Sequence, residues 1–166
     1  MISYFHFDSE AELLQQLDIE LDFNGIVLKD DCEKSTKNIM IKINNDSQSV
    51  CLGLMSFDGI TPRIVQVNDL LFIGYNHSLA IIKNNIIVEK YNVDSAFFDF
   101  LIVGEKVVSV FEIDLICFSI DGHIKWKYYA SDIITEYRLN NDYIDLSFFD
   151  SESKKVSIET GKEVKM

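Results

Sequence analysis

Enzymatic chemistry needs reactive side chains held together, and this sequence offers three sets that could supply it. Carboxylates are the most numerous: Asp30-Asp31, Asp99, Glu112 with Asp114, and Asp142 with Asp145. Two carboxyls flanking a sugar can serve as acid and as nucleophile or base. With 27 acidic residues in the chain, however, close carboxylates arise by composition alone. Cys117 and His123 form the second set, on adjacent strands of a proposed hairpin that turns at Asp121-Gly122. A thiolate nucleophile needs a polar, electropositive pocket, whereas Cys117 lies between Ile116 and Phe118 and reads as a small buried hydrophobe. His6, His77 and His123 are scattered, with no Cys-x-x-Cys or His-Glu-x-x-His motif. No metal and no cofactor are therefore expected. Nor is there a nucleophile elbow, a P-loop or a dinucleotide glycine motif. The aromatic residues Tyr4, Phe5, Phe97, Phe98, Phe148 and Phe149 are read as packing residues rather than as a ligand box. These residues favour binding over catalysis and predict a protein that is not an enzyme.

Charge narrows the class of partner. The 166 residues carry a formal net charge of −12, and Arg63 and Arg138 are the two arginines. Phosphate recognition leans on arginine and on basic patches, so direct contact with nucleic acid or an anionic membrane surface is not expected. No apolar run approaches the roughly 18–20 residues of a membrane-spanning helix. The N-terminus lacks the basic-then-apolar pattern of a secretory signal. Cys32, Cys51 and Cys117 are odd in number and widely spaced, which fits reduced thiols in the cytoplasm.

The elements that must hold any site are mostly strands. Leu79–Lys83, a turn at Asn84-Asn85 and Ile86–Tyr91 read as a hairpin, and so do Leu115–Ile120, Asp121-Gly122 and His123–Tyr128. Between the two hairpins, 36 residues separate Leu79 from Leu115 and 37 separate Tyr91 from Tyr128. A strand-filled period of this size is the pattern of stacked β-blades. Leu70–Tyr75, Leu79–Lys83, Ile86–Tyr91 and Phe97–Val103 are grouped as one unit. Val107–Phe111, Leu115–Ile120, His123–Tyr128 and Ile133–Tyr137 form the next, and a truncated third unit closes the chain. In Ile124-Lys125-Trp126-Lys127-Tyr128 the alternation turns Trp126 and Tyr128 inward and the lysines to water.

Ahead of the repeats, Ser9 and Glu12 have the spacing of a capping box. They predict a helix over residues 8–17 with Leu13, Leu14 and Leu17 on its apolar face. Residues 19–29 read as extended, Asp30–Lys37 as a polar loop, and Asp58-Gly59 as a hairpin turn. The expected fold is all-β, mainly antiparallel, with one short N-terminal helix. It is a partial β-propeller or stacked β-meander, with a two-sheet sandwich as the alternative. One domain is expected over 1–166, divided into an N-terminal part, 1–67, and blade-like repeats, 68–164.

The hairpins, their turn dipeptides and the Trp126 strand resemble degenerate propeller repeats. In its size, its acidity and its lack of catalytic motifs, the chain also resembles immunity proteins of bacterial contact-dependent growth inhibition systems. That resemblance implies a protein that binds one cognate basic toxin domain, often a nuclease such as a ribonuclease, and covers its active site. A nuclease must present cations to phosphate, and an acidic inhibitor is steered to that same surface. Asp94, Asp132, Glu136, Asp142 and Asp150, at the ends of proposed strands, are the candidate contacts. An interaction module within a larger assembly and a small carbohydrate-active enzyme remain the alternatives.

Overall fold

The computed structural model describes residues 1–21, 26–29, 36–44, 49–56 and 61–164. These residues build one helix and four four-stranded sheets. The first sheet contains β1 (Ile2–Phe7), β2 (Ile26–Lys29), β3 (Lys37–Asn44) and β4 (Ser49–Ser56) in the order β1-β3-β4-β2. Its pairs are antiparallel except β2, which runs parallel to β4. The other three sheets are antiparallel meanders. The second has β5 (Arg63–Val67), β6 (Leu70–Tyr75), β7 (Ser78–Lys83) and β8 (Ile86–Asn92). β9 (Phe97–Val103), β10 (Lys106–Phe111), β11 (Asp114–Ser119) and β12 (Ile124–Tyr129) make the third. The fourth comprises β13 (Ile134–Asn140), β14 (Tyr143–Phe148), β15 (Lys154–Ser157) and β16 (Glu163–Val164).

The helix α1 (Glu10–Leu21) joins β1 to β2. Ser9 caps it: the Glu12 amide donates to Ser9 Oγ at 3.2 Å, and the Glu12 carboxylate accepts from the Asp8 amide at 3.2 Å. The helix runs four residues beyond the predicted end, into the stretch read as extended. Leu13 and Leu17 are buried against Met40 and Met55, whereas Leu14 faces solvent. One residue is about 100° of rotation at 3.6 residues per turn, so Leu14 leaves the face that Leu13 shares with Leu17. Ser9→Ala is expected to cost about 1 kcal/mol, measurable as a lower urea midpoint with an unchanged slope.

Alternating side chains fill three cores between successive sheets. Ile41, Leu52 and Leu54 of the first sheet meet Ile73, Ala80 and Ile82 of the second. Phe72, Leu79 and Ile81 on the opposite face meet Phe97, Phe100 and Phe118 of the third. Val108, Cys117 and Trp126 then meet Ile144, Leu146 and Val156 of the fourth. Trp126 and Tyr128 are buried and Lys125 and Lys127 exposed, as the alternation predicts. Trp126 Nε1 donates to the Ile158 carbonyl at 2.8 Å, tying the third sheet to the fourth.

The repeat is visible in the backbone hydrogen bonds. Phe97 N donates to Asn76 O, and 36 to 37 residues later Ile134 N donates to Glu112 O. Val93 N to His77 O is echoed by Ala130 N to Ile113 O, and Glu112 N to Ala96 O by Phe149 N to Ile133 O. These bonds also correct the grouping of strands. Asn84 and Asn85 both take positive φ, as a two-residue hairpin requires, so β7 and β8 share a sheet. The connection over residues 93–96 is tied to the Asn76-His77 turn and delivers β9 to the next sheet. Each of these sheets therefore begins one strand earlier than the sequence units: β5 opens the second sheet, β9 the third and β13 the fourth.

Four stacked sheets, rather than the two of a sandwich, make this a partial propeller. The first strands of the meanders converge, with Tyr137 on β13 reaching Asp99 on β9 and the Arg63 charge on β5 acting on Tyr137. Among the described residues no core cluster joins the first sheet to the fourth, so the stack is open. α1 covers the outer face of the first sheet, and the outer face of the fourth is polar and open.

Candidate protein-binding surface

The fourth sheet places four of the five predicted carboxylates. Asp132 lies in the connection from β12 to β13, and Asp150 follows β14. They meet: the Asp150 amide donates to Asp132 Oδ2 at 2.8 Å, while Asp132 Oδ1 accepts from the Ile133 amide at 2.7 Å. The hydrogen bond from the Asp150 amide, helped by Ser151, holds the Asp132 carboxyl below the usual carboxylate range. Glu136 projects from β13 on the outer face of the sheet. Asp142 sits in the β13–β14 hairpin, at the far end of β14 from Asp150. A six-residue strand is about 20 Å long, so one small contact cannot use both. Asp94 belongs one sheet back, in the β8–β9 connection, at the same end of the stack as Asp132.

The carboxylates of Asp94, Glu136, Asp142 and Asp150 make no ion pair among the described residues. By contrast, Asp69 is paired with Lys83, Glu159 with Lys106, and Glu163 with Lys154. Each of those three is held below its usual range by its lysine. Much of the acidity beside the fourth sheet is thus uncompensated within the fold.

An open groove of about 580 Å³ crosses the outer face of this sheet, lined by Glu136, Tyr137, Arg138, Asp145 and Ser147. Arg138 stands opposite Asp145 in the ladder, and Glu136 opposite Ser147. Asp145 receives a hydrogen bond from Asn140 at 3.3 Å and lies 3.9 Å from Lys155. The carboxyls of Asp69, Asp121, Asp132, Glu159 and Glu163 are all displaced downwards. A glycosidase acid needs the opposite shift. Among the described residues no group of His, Cys, Asp and Glu could hold a metal ion. Cys117 is buried, and burial pushes its thiol up to about 11, whereas His123 is exposed. The reading of Cys117 as a packing residue holds. Cys32, Asp30-Asp31 and Asp58-Gly59 lie outside the described residues.

Sequence reasoning missed the apolar part of this surface. Phe148 packs into the core as expected, but Phe149 is 71% exposed, and Ile133 beside it is 42% exposed. Tyr4 and Phe5, also read as packing residues, are likewise exposed. The Phe149 amide donates to the Ile133 carbonyl at 3.0 Å, so backbone bonds hold both residues in place, flanked by Asp132 and Asp150. The preceding repeat acts as an internal control. There the equivalent bond joins Glu112 to Ala96, so the fold does not require an aromatic ring at this place. Aligning Phe149 with Glu112 at the 37-residue offset is the sequence signal that could have exposed it.

No protein-family model matches the sequence, and no curated protein matches it. Its likeness is to solved structures. BamB from Moraxella catarrhalis is 13% identical with a TM-score of 0.45, the match covering 76% of this chain and 44% of that one. A protein of unknown function from Bacteroides caccae is 13% identical with a TM-score of 0.48, over 77% of this chain and 53% of its own. The Pan2 WD40 domain of Neurospora crassa is 10% identical with a TM-score of 0.45, over 81% and 49%. The chain spans about half the length of the solved structures it matches. Among the described residues no helix is long and apolar enough to cross a membrane.

Proposed function

We propose that this chain is a protein-interaction module of the immunity type, which binds a basic toxin domain in the cytoplasm and blocks its active site. It acts by occupancy and performs no chemistry. The observation that carries the reading is the exposed Phe149 with Ile133, whose backbones are bonded to each other, beside Asp150, whose carboxylate makes no ion pair among the described residues. Binding energy concentrates in a few aromatic or aliphatic anchors ringed by polar groups. Uncompensated charge supplies steering and selects a cationic partner. A nuclease presents such a cationic surface to its phosphate substrate.

The test uses the purified C-terminal domain of the protein encoded immediately upstream, titrated calorimetrically into the full chain at two ionic strengths. Binding is expected to weaken as salt rises. Phe149→Ala should raise Kd roughly 30-fold or more, the scale of a hot-spot residue. Asp150→Asn should act mainly through the salt dependence and the association rate. Absence of binding, or binding unaffected by both Phe149→Ala and salt, would refute the proposal.

A further inference from the structure

Asp114, at the start of β11, is the one buried carboxylate among the described residues. A buried charge is costly unless hydrogen bonds hold it. Ser95, buried in the β8–β9 connection, supplies one: its Oγ donates to Asp114 Oδ2 at 2.5 Å, a usual length for a hydroxyl on a carboxylate. The 37-residue offset that carries the Glu112–Ala96 backbone bond onto Phe149–Ile133 also carries Ser95 onto Asp132 and Asp114 onto Ser151. The two residue types have changed places. In the fourth sheet the carboxylate stands in the connection and the hydroxyl follows the second strand. The Asp150 amide first, and then the Ser151 hydroxyl, stabilise the charged form of Asp132. A carboxylate only accepts and a hydroxyl can donate, so the exchange of places keeps a donor facing an acceptor.

We propose that this Ser/Asp pair is a clasp that seats each connection on the sheet it enters, and that in the fourth sheet Asp132 is a positioning residue for Phe149 rather than a contact with the partner. The second half of this assignment rests on the binding surface proposed above. Asp132 Oδ1 accepts from the Ile133 amide at 2.7 Å, and Oδ2 accepts from the Asp150 amide at 2.8 Å. These two bonds straddle the bond from the Phe149 amide to the Ile133 carbonyl. One side chain thus ties Ile133 to the residue after Phe149, at the place where both apolar side chains are exposed. Both oxygens of Asp132 serve main-chain donors, which leaves it less to offer a cation than Asp150, whose carboxylate makes no ion pair among the described residues. A loop ordered before the partner arrives also lowers the entropic cost of association.

Amide hydrogen exchange of the free full chain, followed by NMR, reads the clasp without any partner. Asp132→Ala should speed exchange of the Phe149 and Asp150 amides ~10-fold or more, while amides within β13 and β14 stay protected. Asp132→Asn keeps one carbonyl acceptor in the same place and should lose less. Asp132→Ser combined with Ser151→Asp reproduces the order of the Ser95–Asp114 pair, under which the third sheet keeps the equivalent backbone bond. That double variant should restore the protection of the Phe149 amide that Asp132→Ser alone loses. Titration with the same upstream-encoded domain then separates positioning from contact. Asp132→Ala should raise Kd ~10-fold and leave the salt dependence of binding unchanged, whereas Asp150→Asn should reduce that dependence. Exchange indifferent to Asp132→Ala, or a double variant that restores nothing, overturns the clasp. A reduced salt dependence in Asp132→Ala makes Asp132 a contact and overturns its positioning role. Should the domain not bind the unaltered chain, the proposed function falls, while exchange at Phe149 and Asp150 still decides the clasp.

Discussion

Gly74→Ala is expected to destabilise the protein by about 3 kcal/mol, the upper end of the usual cost of overfilling a packed core. Gly74 lies on β6, inside the second sheet, and the Phe97 ring of the third sheet rests directly on its backbone. A Cβ there would stand 2.2 Å from Phe97 Cζ and 2.4 Å from each Cε. The ring has nowhere to retreat. Phe97 is fully buried, with Phe100 at 4.8 Å and Phe111 at 5.4 Å between ring centroids. Either the two sheets separate locally or the aromatic cluster repacks, and both lose buried contact. Urea denaturation followed by circular dichroism would show a lower midpoint. Adding Phe97→Leu should recover part of the loss in a double-mutant cycle, because the smaller side chain vacates the space that the new methyl needs. A cost below about 1 kcal/mol, within the range of routine substitutions, would mean that the second and third sheets are not packed this closely.

The second large effect is a loss of stability in alkali. Cys117 and Tyr128 both face the core between the third and fourth sheets. Burial pushes the Cys117 thiol from 9.0 up to about 11. Burial first, and then the hydrogen bond to Glu163, raises the Tyr128 hydroxyl from 10.0 to about 12. Both groups give up a proton more readily in the unfolded chain than in the folded one. Their contribution is fully present below pH 9 for Cys117 and below pH 10 for Tyr128. It disappears as pH rises to about 11 and about 12, respectively. Each group should account for on the order of 2 kcal/mol. Trp126 is the one tryptophan and stands opposite Cys117 in the ladder, so its fluorescence reports this core. Urea midpoints measured from pH 8 to 12 should fall in two overlapping steps. Cys117→Val should abolish the earlier step and leave the later one. A flat profile over that range would contradict the burial of both groups.

These two predictions rest on features that were legible to different degrees. The inward turn of Trp126 and Tyr128 follows from alternation, because successive strand residues face opposite sides of the sheet. The Ser9 cap follows from local backbone chemistry. The Gly74 contact could not be anticipated, because Gly74 and Phe97 lie 23 residues apart in different sheets. Phe149 escaped notice for a related reason. An aromatic residue beside Phe148 reads as core until the end of β14 is located, and that end is set by pairing with β13. The candidate carboxylates were found by type and by position near turns, but nothing local could say that Asp132 and Asp150 adjoin while Asp142 lies at the opposite end of the strand.

The sequence by itself determined the all-β character, the repeat of some 36 residues, the capped helix and the excess of acid. Each of these depends on composition or on neighbours a few residues apart, where side-chain periodicity and turn geometry act directly. Only the tertiary structure decided which sheet each strand joins, the parallel pairing of β2 with β4, the helix-covered and open ends of the stack, and the exposure of Phe149 between Asp132 and Asp150. Those outcomes are set by hydrogen bonds and packing between segments far apart in the chain, where the residues that compete for a partner are not neighbours in sequence.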